Sequence, residues 1–493
     1  MAGVVPSETL FISLIPALQH HPGKENVMYI EAVDVVIIGA GPGGSAFALS
    51  LQQHAPSLSI VLVEQSNFET PRIGETLPPG VQPLLEQVDA WDAFRAQQHQ
   101  PAFSTRAAWG RAQFTDNDFL YYTSGTGWIL ERHQFDAMLA RLAANRGAVL
   151  LTRSVLYKHW KTHEDFHMLQ VQHSDGENRL FRARFVIDAS GRKASYARKQ
   201  GARSLSFDRL IGACGVFSFD SMSDAQTDGA LIEAFAQGWW YTAPLGKESR
   251  IVACMTDSDL LKKLGLRHKE CWLSLLQDTQ EIKKTVAGGI LSEEPVLRPS
   301  ASQCLEVLCG DDWLAVGDAA CCFDPLSSQG VMKALHSGIF ASYAVADSLT
   351  RGVRTGLKNY ERFIHQEFDI FLQFHAHYYA EEKRWQNQPF WHRRHQKIML
   401  SPETVVVATH NKMPKASFLS RKAVRLISTI CEQPQSAHAV VSQFREKFKE
   451  PFSDKRIILA IQHLLGTRTL EYRKTSAVKS EQENKQMIQV VGG

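Results

Sequence analysis

The chain has no apolar run as long as a bilayer-spanning helix needs, and no excess of charge of one sign. Lys and Arg number 54 against 51 Asp and Glu, so neither the basic face of a nucleic-acid binder nor an acidic tail is implied. Cysteine is present but unorganised. The eight cysteines (Cys214, Cys254, Cys271, Cys304, Cys309, Cys321, Cys322 and Cys431) show neither metal-ligand nor disulfide-framework spacing, which points to a reducing cytoplasm. The apolar run at 10–18 is short and lacks a basic flank, so a cleaved secretory signal is not expected. Residues 1–27, ahead of Met28, read either as a disordered extension or as an upstream start. What remains is 493 residues, 44% hydrophobic, ample for large cores in a soluble protein of two interleaved domains plus an appendage.

Two signatures dominate that length. Near the start, the apolar run 33–38 leads into Gly39-x-Gly41-x-x-Gly44 and then a helix expected from 45 to about 53. Glycine at these points lets the chain turn tightly, lets backbone approach a phosphate, and lets the helix lie close on the sheet, with free N–H groups facing a pyrophosphate. Glu64 ends the next apolar run, 59–64, where a carboxylate can take ribose hydroxyls. Well past the middle, the apolar run 313–316 delivers Asp318 to the end of a strand, and Asp324-Pro325-Leu326-Ser327-Ser328-Gln329-Gly330 makes a turn before a helix beginning near Val331. The N-terminus of that helix can stabilise negative charge at the N1/O2 edge of a reduced flavin, placing Gly330 and Val331 among the cofactor-binding residues. Together the signatures specify one bound FAD.

The second signature resembles the Gly-Asp motif of FAD monooxygenases of the aromatic-hydroxylase and halogenase type, in which the aspartate holds the ribityl chain. Three further stretches carry the same resemblance. Pro71-Arg72-Ile73-Gly74-Glu75-Thr76-Leu77-Pro78-Pro79 is similar to the segment that runs beside the isoalloxazine, which implies Arg72 as a cofactor residue. Arg132 opens an Arg-x-x-Phe-Asp helix start and, by resemblance, reaches the phosphate or ribityl region; a surface ion pair is the plain alternative. The run 185–192 matches the element that closes the FAD domain, with Gly191 at the bend and Arg192 structural. The expected fold is α/β: a Rossmann-type FAD-binding domain at 30–385, interleaved with an antiparallel-sheet substrate domain at about 76–130 and 195–300. A mainly helical, winged-helix-like domain is expected at 386–474 after the extension 1–29, with a disordered tail at 475–493.

Gly238-Trp239-Trp240-Tyr241-Thr242-Ala243-Pro244 is the aromatic strand of the substrate domain, with Trp239 and Tyr241 on one face and Trp240 on the other. One face is expected to roof the cavity. The flavin-facing candidates are therefore Glu75, Trp240, Tyr241, Gln329 and Gly330, with the catalytic residue itself open. Cys321 and Cys322 read as small apolar packing, since neither a C-x-x-C dithiol nor a low-pKa thiolate is visible. His375, His377, His392 and His395 read as helix-surface or linker residues and no metal is expected.

Tryptophan halogenases share the Gly-Glu-Thr-x-x-Pro segment, and the resemblance implies a lysine beyond it that binds hypohalous acid. This sequence has no lysine from 76 to 157. Hydroxylation asks less of the protein, because a flavin C4a-hydroperoxide passes oxygen to an electron-rich ring held in a dry, aromatic-lined pocket. The runs 104–110 and 125–132, with 324–330, resemble the flavoproteins that mature tryptophan-derived quinone cofactors, including cysteine tryptophylquinone. That resemblance implies a partner polypeptide carrying the target tryptophan, and NAD(P)H or reduced flavin as external reductant. A flavin-dependent halogenase, a geranylgeranyl-reductase-like oxidoreductase and a non-enzymatic flavin-bound regulator are the alternatives. Basic residues of the C-terminal unit are offset by Glu446, Glu450, Asp454 and Glu471, so polypeptide docking or structural capping is expected there, helped by Trp385 and Trp391, rather than DNA contact. Ser453 is the expected N-cap of a helix from Asp454.

Overall fold

The computed structural model describes residues 29–70, 74–119, 125–220, 229–246, 248–395, 404–409, 420–448, 454–466 and 469–472. Arg72, Ser453, the stretch before Tyr29 and the run 475–493 lie outside them. Among the described residues no helix is long and apolar enough to cross a membrane.

In the strand Ile30–Ile38, Val35, Val36 and Ile37 are fully enclosed. A strand apolar on both faces needs cover on both, which a parallel sheet clothed by helices provides. It pairs in parallel with Ile60–Val63 on one side and with Asn178–Asp188 on the other. Asn178–Asp188 serves two partners along its length. Its first part takes the antiparallel hairpin of Ser154–Lys161 and His167–His173, and its last residues take Trp313–Ala315 in parallel. Ile38, Asp188 and Ala315 thus stand in register at one carboxyl edge of the sheet. Both glycine signatures leave the sheet from that edge, where open α/β sheets bind ligands.

The helix Pro42–His54 begins three residues earlier than the sequence pattern implies, because proline presets the backbone angle of a first turn and loses no bond there. Across it packs Gly330–Arg351, the helix of the second signature. At their crossing a Cβ on Gly338 would lie 2.2 Å from the Gly43 carbonyl oxygen, so backbone touches backbone.

The second large sheet has eight strands. Leu210–Ser218, Ser249–Asp257, Gly238–Pro244 and Ala230–Phe235 are antiparallel, as their alternation implies. Ala230–Phe235 then pairs in parallel with Ser104–Ala108, so the domain is not purely antiparallel. One face packs Trp240 against Trp272 and Phe235; the other packs Trp239 with Tyr379, Phe390 and Trp391.

The helix Pro389–His395 departs from the docking role expected of Trp391. Phe390 and Trp391 are fully enclosed, Trp391 Nε1 donates to the Phe235 carbonyl at 2.7 Å, and Arg393 and Arg394 pair with Asp257 and Asp259. An enclosed ring cannot hold a partner, so Trp391 is corrected from a docking residue to a core residue. Trp385 lies against it, ring centroids 6.2 Å apart.

Three helices (Arg421–Ile430, Ala437–Lys447 and Asp454–Gly466) and a small sheet of Val405–Ala408, Gln435–Ser436 and Leu470–Tyr472 make up the described C-terminal part. Ser420 and Ser436 accept backbone N–H groups at the starts of the first two helices. Val406, Ile427, Phe444, Ile457, Ile461 and Leu464 form its core, and Phe207 of the larger part packs on that core.

Candidate flavin and substrate site

At the first signature Gly39 takes a φ of +106°, a region that favours glycine, and its N–H bonds the Val63 carbonyl at 2.8 Å. A Cβ on Gly44 would lie 2.1 Å from the Gly39 carbonyl oxygen, whereas one on Gly41 would meet nothing within 4 Å. Gly44 is there for packing and Gly41 for open space. Gly41 precedes a helix with no side-chain cap and no acidic residue in its first turn, so the helix N-terminus offers its N–H groups to an anion. Glu64, buried just past Ile60–Val63, braces this loop: Oε2 accepts the Ala40 N–H at 2.9 Å and Oε1 the Ser66 hydroxyl at 2.6 Å.

The second signature leaves Trp313–Ala315 through a tight turn at Gly317, φ +59°, and projects Asp318. Its side chain is 38% exposed. Lys333 Nζ donates to Oδ1 at 2.7 Å, and Arg192 Nε stands 3.9 Å from Oδ2. Burial pushes the Asp318 carboxyl up, but the charges of Lys333, Arg192 and Arg132 outweigh it and hold the group below the usual carboxylate range. Arg192 also donates to the Ala301 and Phe323 carbonyls, which ties the turn after Gly191 to the turn before Asp324.

Arg132 is the first residue of the helix Arg132–Asn145 and is not on the surface. Its guanidinium spans Asp136 at 3.2 Å and the Gly74 carbonyl at 3.3 Å. Beside it lies Glu75, fully enclosed. Thr76 and Tyr241 share a hydroxyl hydrogen bond of 2.8 Å, and Tyr241 donates on to Glu75 Oε2 at 3.2 Å. Glu75 Oε1 is buried without a hydrogen-bond partner. Burial raises the Glu75 carboxyl above its usual range; the N–H groups of Glu75 and Gly74 and the charge of Arg132 offset this only in part. The same burial, with Glu75 next to it, pushes Tyr241 well above an ordinary phenol. This trio bolts the segment after Gly74 to the aromatic strand.

Trp240 does not join it. It sits on the opposite face, with its Nε1 buried and unpartnered beside Trp272, so it is corrected from a flavin-facing candidate to a core residue. Gln329 and Gly330, by contrast, are exposed at the start of Gly330–Arg351, and Val331 is buried behind them.

Two features escaped the sequence reading. One is Lys333, a buried cation in the first turn of that helix, hidden in an otherwise apolar stripe. The other is the network beneath the turn 324–330. Asp324 Oδ1 accepts the Leu326 N–H, and Oδ2 faces His375 Nε2 at 3.0 Å and accepts the Tyr379 hydroxyl at 2.8 Å; Tyr379 in turn accepts from Trp239 Nε1 at 2.9 Å. His375 is therefore no surface residue, and His377 has a carboxylate one turn away, Glu381 at 3.3 Å. Asp208 lies within 4.8 Å of Asp324 and His375, and its carboxylate accepts the Leu210 and Ser302 N–H groups. The partners of Asp324 Oδ2 come from the long helix Thr355–Glu381, whose periodicity says which face is buried but not what it meets.

An open cradle at Gly41, an uncapped helix end and an accessible carboxylate at Asp318 fit a dinucleotide with a polyhydroxyl chain. Comparison with known proteins agrees. The LodB protein of Marinomonas mediterranea, assigned by name to the FAD-dependent oxidoreductases, is 30% identical over 370 residues, covering 74% of this chain and 98% of that one. Tryptophan 2-halogenase of Chondromyces crocatus is 26% identical over 63% of this chain and 60% of its own. Among solved structures, the myxobacterial chondrochloren halogenase CndH superposes with a TM-score of 0.67 at 23% identity, covering 88% and 96% of the two chains. The peptidyl tryptophan dihydroxylase QhpG superposes with 0.58 at 21%, covering 88% and 99%. The family model described as the FAD binding domain matches residues 32–404, and the chain belongs to that family of FAD-dependent enzymes.

Proposed function

We propose that this enzyme is a monooxygenase that hydroxylates an aromatic ring, namely a tryptophan side chain within a partner polypeptide on the way to a quinone cofactor such as cysteine tryptophylquinone. The observation that carries the reading is the lysine-free stretch from 76 to 157, where the halogenases it resembles need an ammonium group. Lys333 does not substitute for it, since its Nζ is buried under Asp318. The likeness to LodB, by name an FAD-dependent oxidoreductase, supports the flavin chemistry, and the fold shared with the peptidyl tryptophan dihydroxylase QhpG fits a tryptophan within a polypeptide as substrate.

FAD would supply activated oxygen; the chain's own residues hold and enclose. Gly41 and the helix behind it would hold the pyrophosphate, Asp318 the ribityl chain, and Gly330 the flavin's N1/O2 edge. Glu75, Thr76 and Tyr241 clamp the segment after Gly74 to the aromatic strand, and this clamp would help to keep water from the bound flavin. Reducing equivalents would come from NAD(P)H or a reduced flavin, and free, mostly buried cysteines suit a cytoplasmic setting.

The test is mass spectrometry of tryptophan-containing candidate polypeptides incubated with holoprotein, reductant and isotopically labelled dioxygen. The expected product gains one or more labelled oxygen atoms on tryptophan and is unchanged by chloride or bromide. A halogenated product, or alkene reduction without oxygen uptake, overturns the reading.

A further inference from the structure

Lysine is among the residues least often enclosed, yet the Lys333 side chain is only 3% exposed. Its Nζ reaches Asp318 Oδ1, donates to the Cys321 carbonyl, and stands 5.0 Å from the centre of the Phe323 ring. Enclosing a charge this completely is unfavourable unless a partner of opposite charge is fixed beside it. That partner is not enclosed in the same way. The Asp318 side chain is 38% exposed, with Oδ1 held by Lys333 and, among the described residues, Oδ2 approached by Arg192 at 3.9 Å. One oxygen is thus immobilised while the other still has acceptor capacity for a hydroxyl. Lys333 also occupies the first turn of Gly330–Arg351, so its charge adds to the positive end of the helix dipole instead of opposing it.

We propose that Lys333 is a positioning residue of the flavin site with two linked effects. It fixes the Asp318 carboxylate in the orientation that receives the ribityl hydroxyls, and its charge favours reduced, anionic flavin over oxidised flavin. Both effects act through Asp318 and the helix end, without contact between Lys333 and substrate. The inference rests on the chain's binding of FAD and not on the identity of the substrate.

The test uses the full-length holoprotein without substrate. FAD affinity is read by titration of apoprotein, and the two-electron potential by spectroelectrochemistry, for wild type, K333M and K333R. Removing one charge across a partly screened site is expected to weaken FAD binding about tenfold. It is also expected to lower the reduced-to-oxidised affinity ratio about tenfold, which is a potential about 30 mV more negative. K333R, which keeps the charge, is expected to retain a potential near wild type. If K333M folds and its potential equals that of wild type, the proposal is wrong, and the lysine only neutralises a buried carboxylate. Should K333M fail to fold, D318N and D318N/K333M carry the test, because the second removes the charge with no unpaired carboxylate left behind. The double variant is then expected about 30 mV below D318N, and equality between them overturns the proposal.

Discussion

Two glycines of one motif, three positions apart, are expected to fail in different ways when given a single methyl group. Gly41 has extended backbone angles, φ −73° and ψ −175°, open to any residue, and a Cβ there meets nothing within 4 Å. Alanine is a poorer helix cap than glycine by several tenths of a kcal/mol, but it restricts the unfolded chain by a similar amount, about 0.4–1 kcal/mol. The apoprotein of Gly41→Ala is therefore expected to unfold at the wild-type temperature. Gly44 is different. Its Cβ would sit 2.1 Å from the Gly39 carbonyl oxygen, 2.9 Å from Ala189 Cβ and 3.1 Å from Ile37 Cγ2, and the nearest of these is backbone. Helix propensity returns about 1 kcal/mol on replacing glycine by alanine, while forced overpacking costs about 1–3 kcal/mol and rises when backbone must move. A net loss of about 2 kcal/mol is expected for Gly44→Ala. Thermal unfolding of the apoproteins separates the two variants, and quenching of flavin fluorescence on titration measures what each still binds. Gly41→Ala is expected to be stable and unable to retain FAD, because the methyl group enters the space offered to the pyrophosphate. If stable Gly41→Ala binds FAD like wild type, that space is not the phosphate cradle and the assignment of the whole site fails with it.

Trp391→Ala is expected to destabilise the protein by about 3–5 kcal/mol, the usual cost of emptying a large aromatic site, and a variant that unfolds in denaturant like wild type would return this ring to the docking surface. Burial, with His133 beside it, holds the His99 imidazole down to about 4. Its folded value is depressed, so the unfolded chain binds the extra proton. Stability is expected to fall as pH drops from about 6.5 toward 4, by up to about 1.4 kcal/mol per unit. His99→Gln is expected to flatten that slope in denaturant melts at pH 4.5 and 7; an unchanged slope would place the titration elsewhere.

The sequence was most informative where chemistry constrains single residues. Gly39, Gly41, Gly44 and Asp318 are visible because a sharp turn, a close approach and a carboxylate at a strand end each demand one residue type. Tyr241 was legible only as one of two faces of an alternating strand, and nothing local said which face meets Glu75. Trp240 shows the cost of that ambiguity. Lys333 and His375 lie on helices whose pattern marks a buried face, and a polar residue on such a face reads as an exception until its partner is known. Their partners, Asp318 and Asp324, lie 15 and 51 residues earlier, in turns outside those helices, and such pairings follow from tertiary packing and not from helical periodicity.

The crossing at Gly43 and Gly338 bears on the order in which the protein is made. Gly43 belongs to the first helix behind the sheet and Gly338 to a helix synthesised near the end of the family's domain, so the cofactor site closes only when both have left the ribosome. Closing so long a loop costs conformational entropy that local contacts cannot return. A nascent chain that stops before residue 330 would own the phosphate loop without the helix that locks it or the carboxylate's cation beneath it. Retention of FAD is thus expected to mark chains whose synthesis has passed the helix Gly330–Arg351, and the yellow colour of a preparation counts the chains that own both halves of the site.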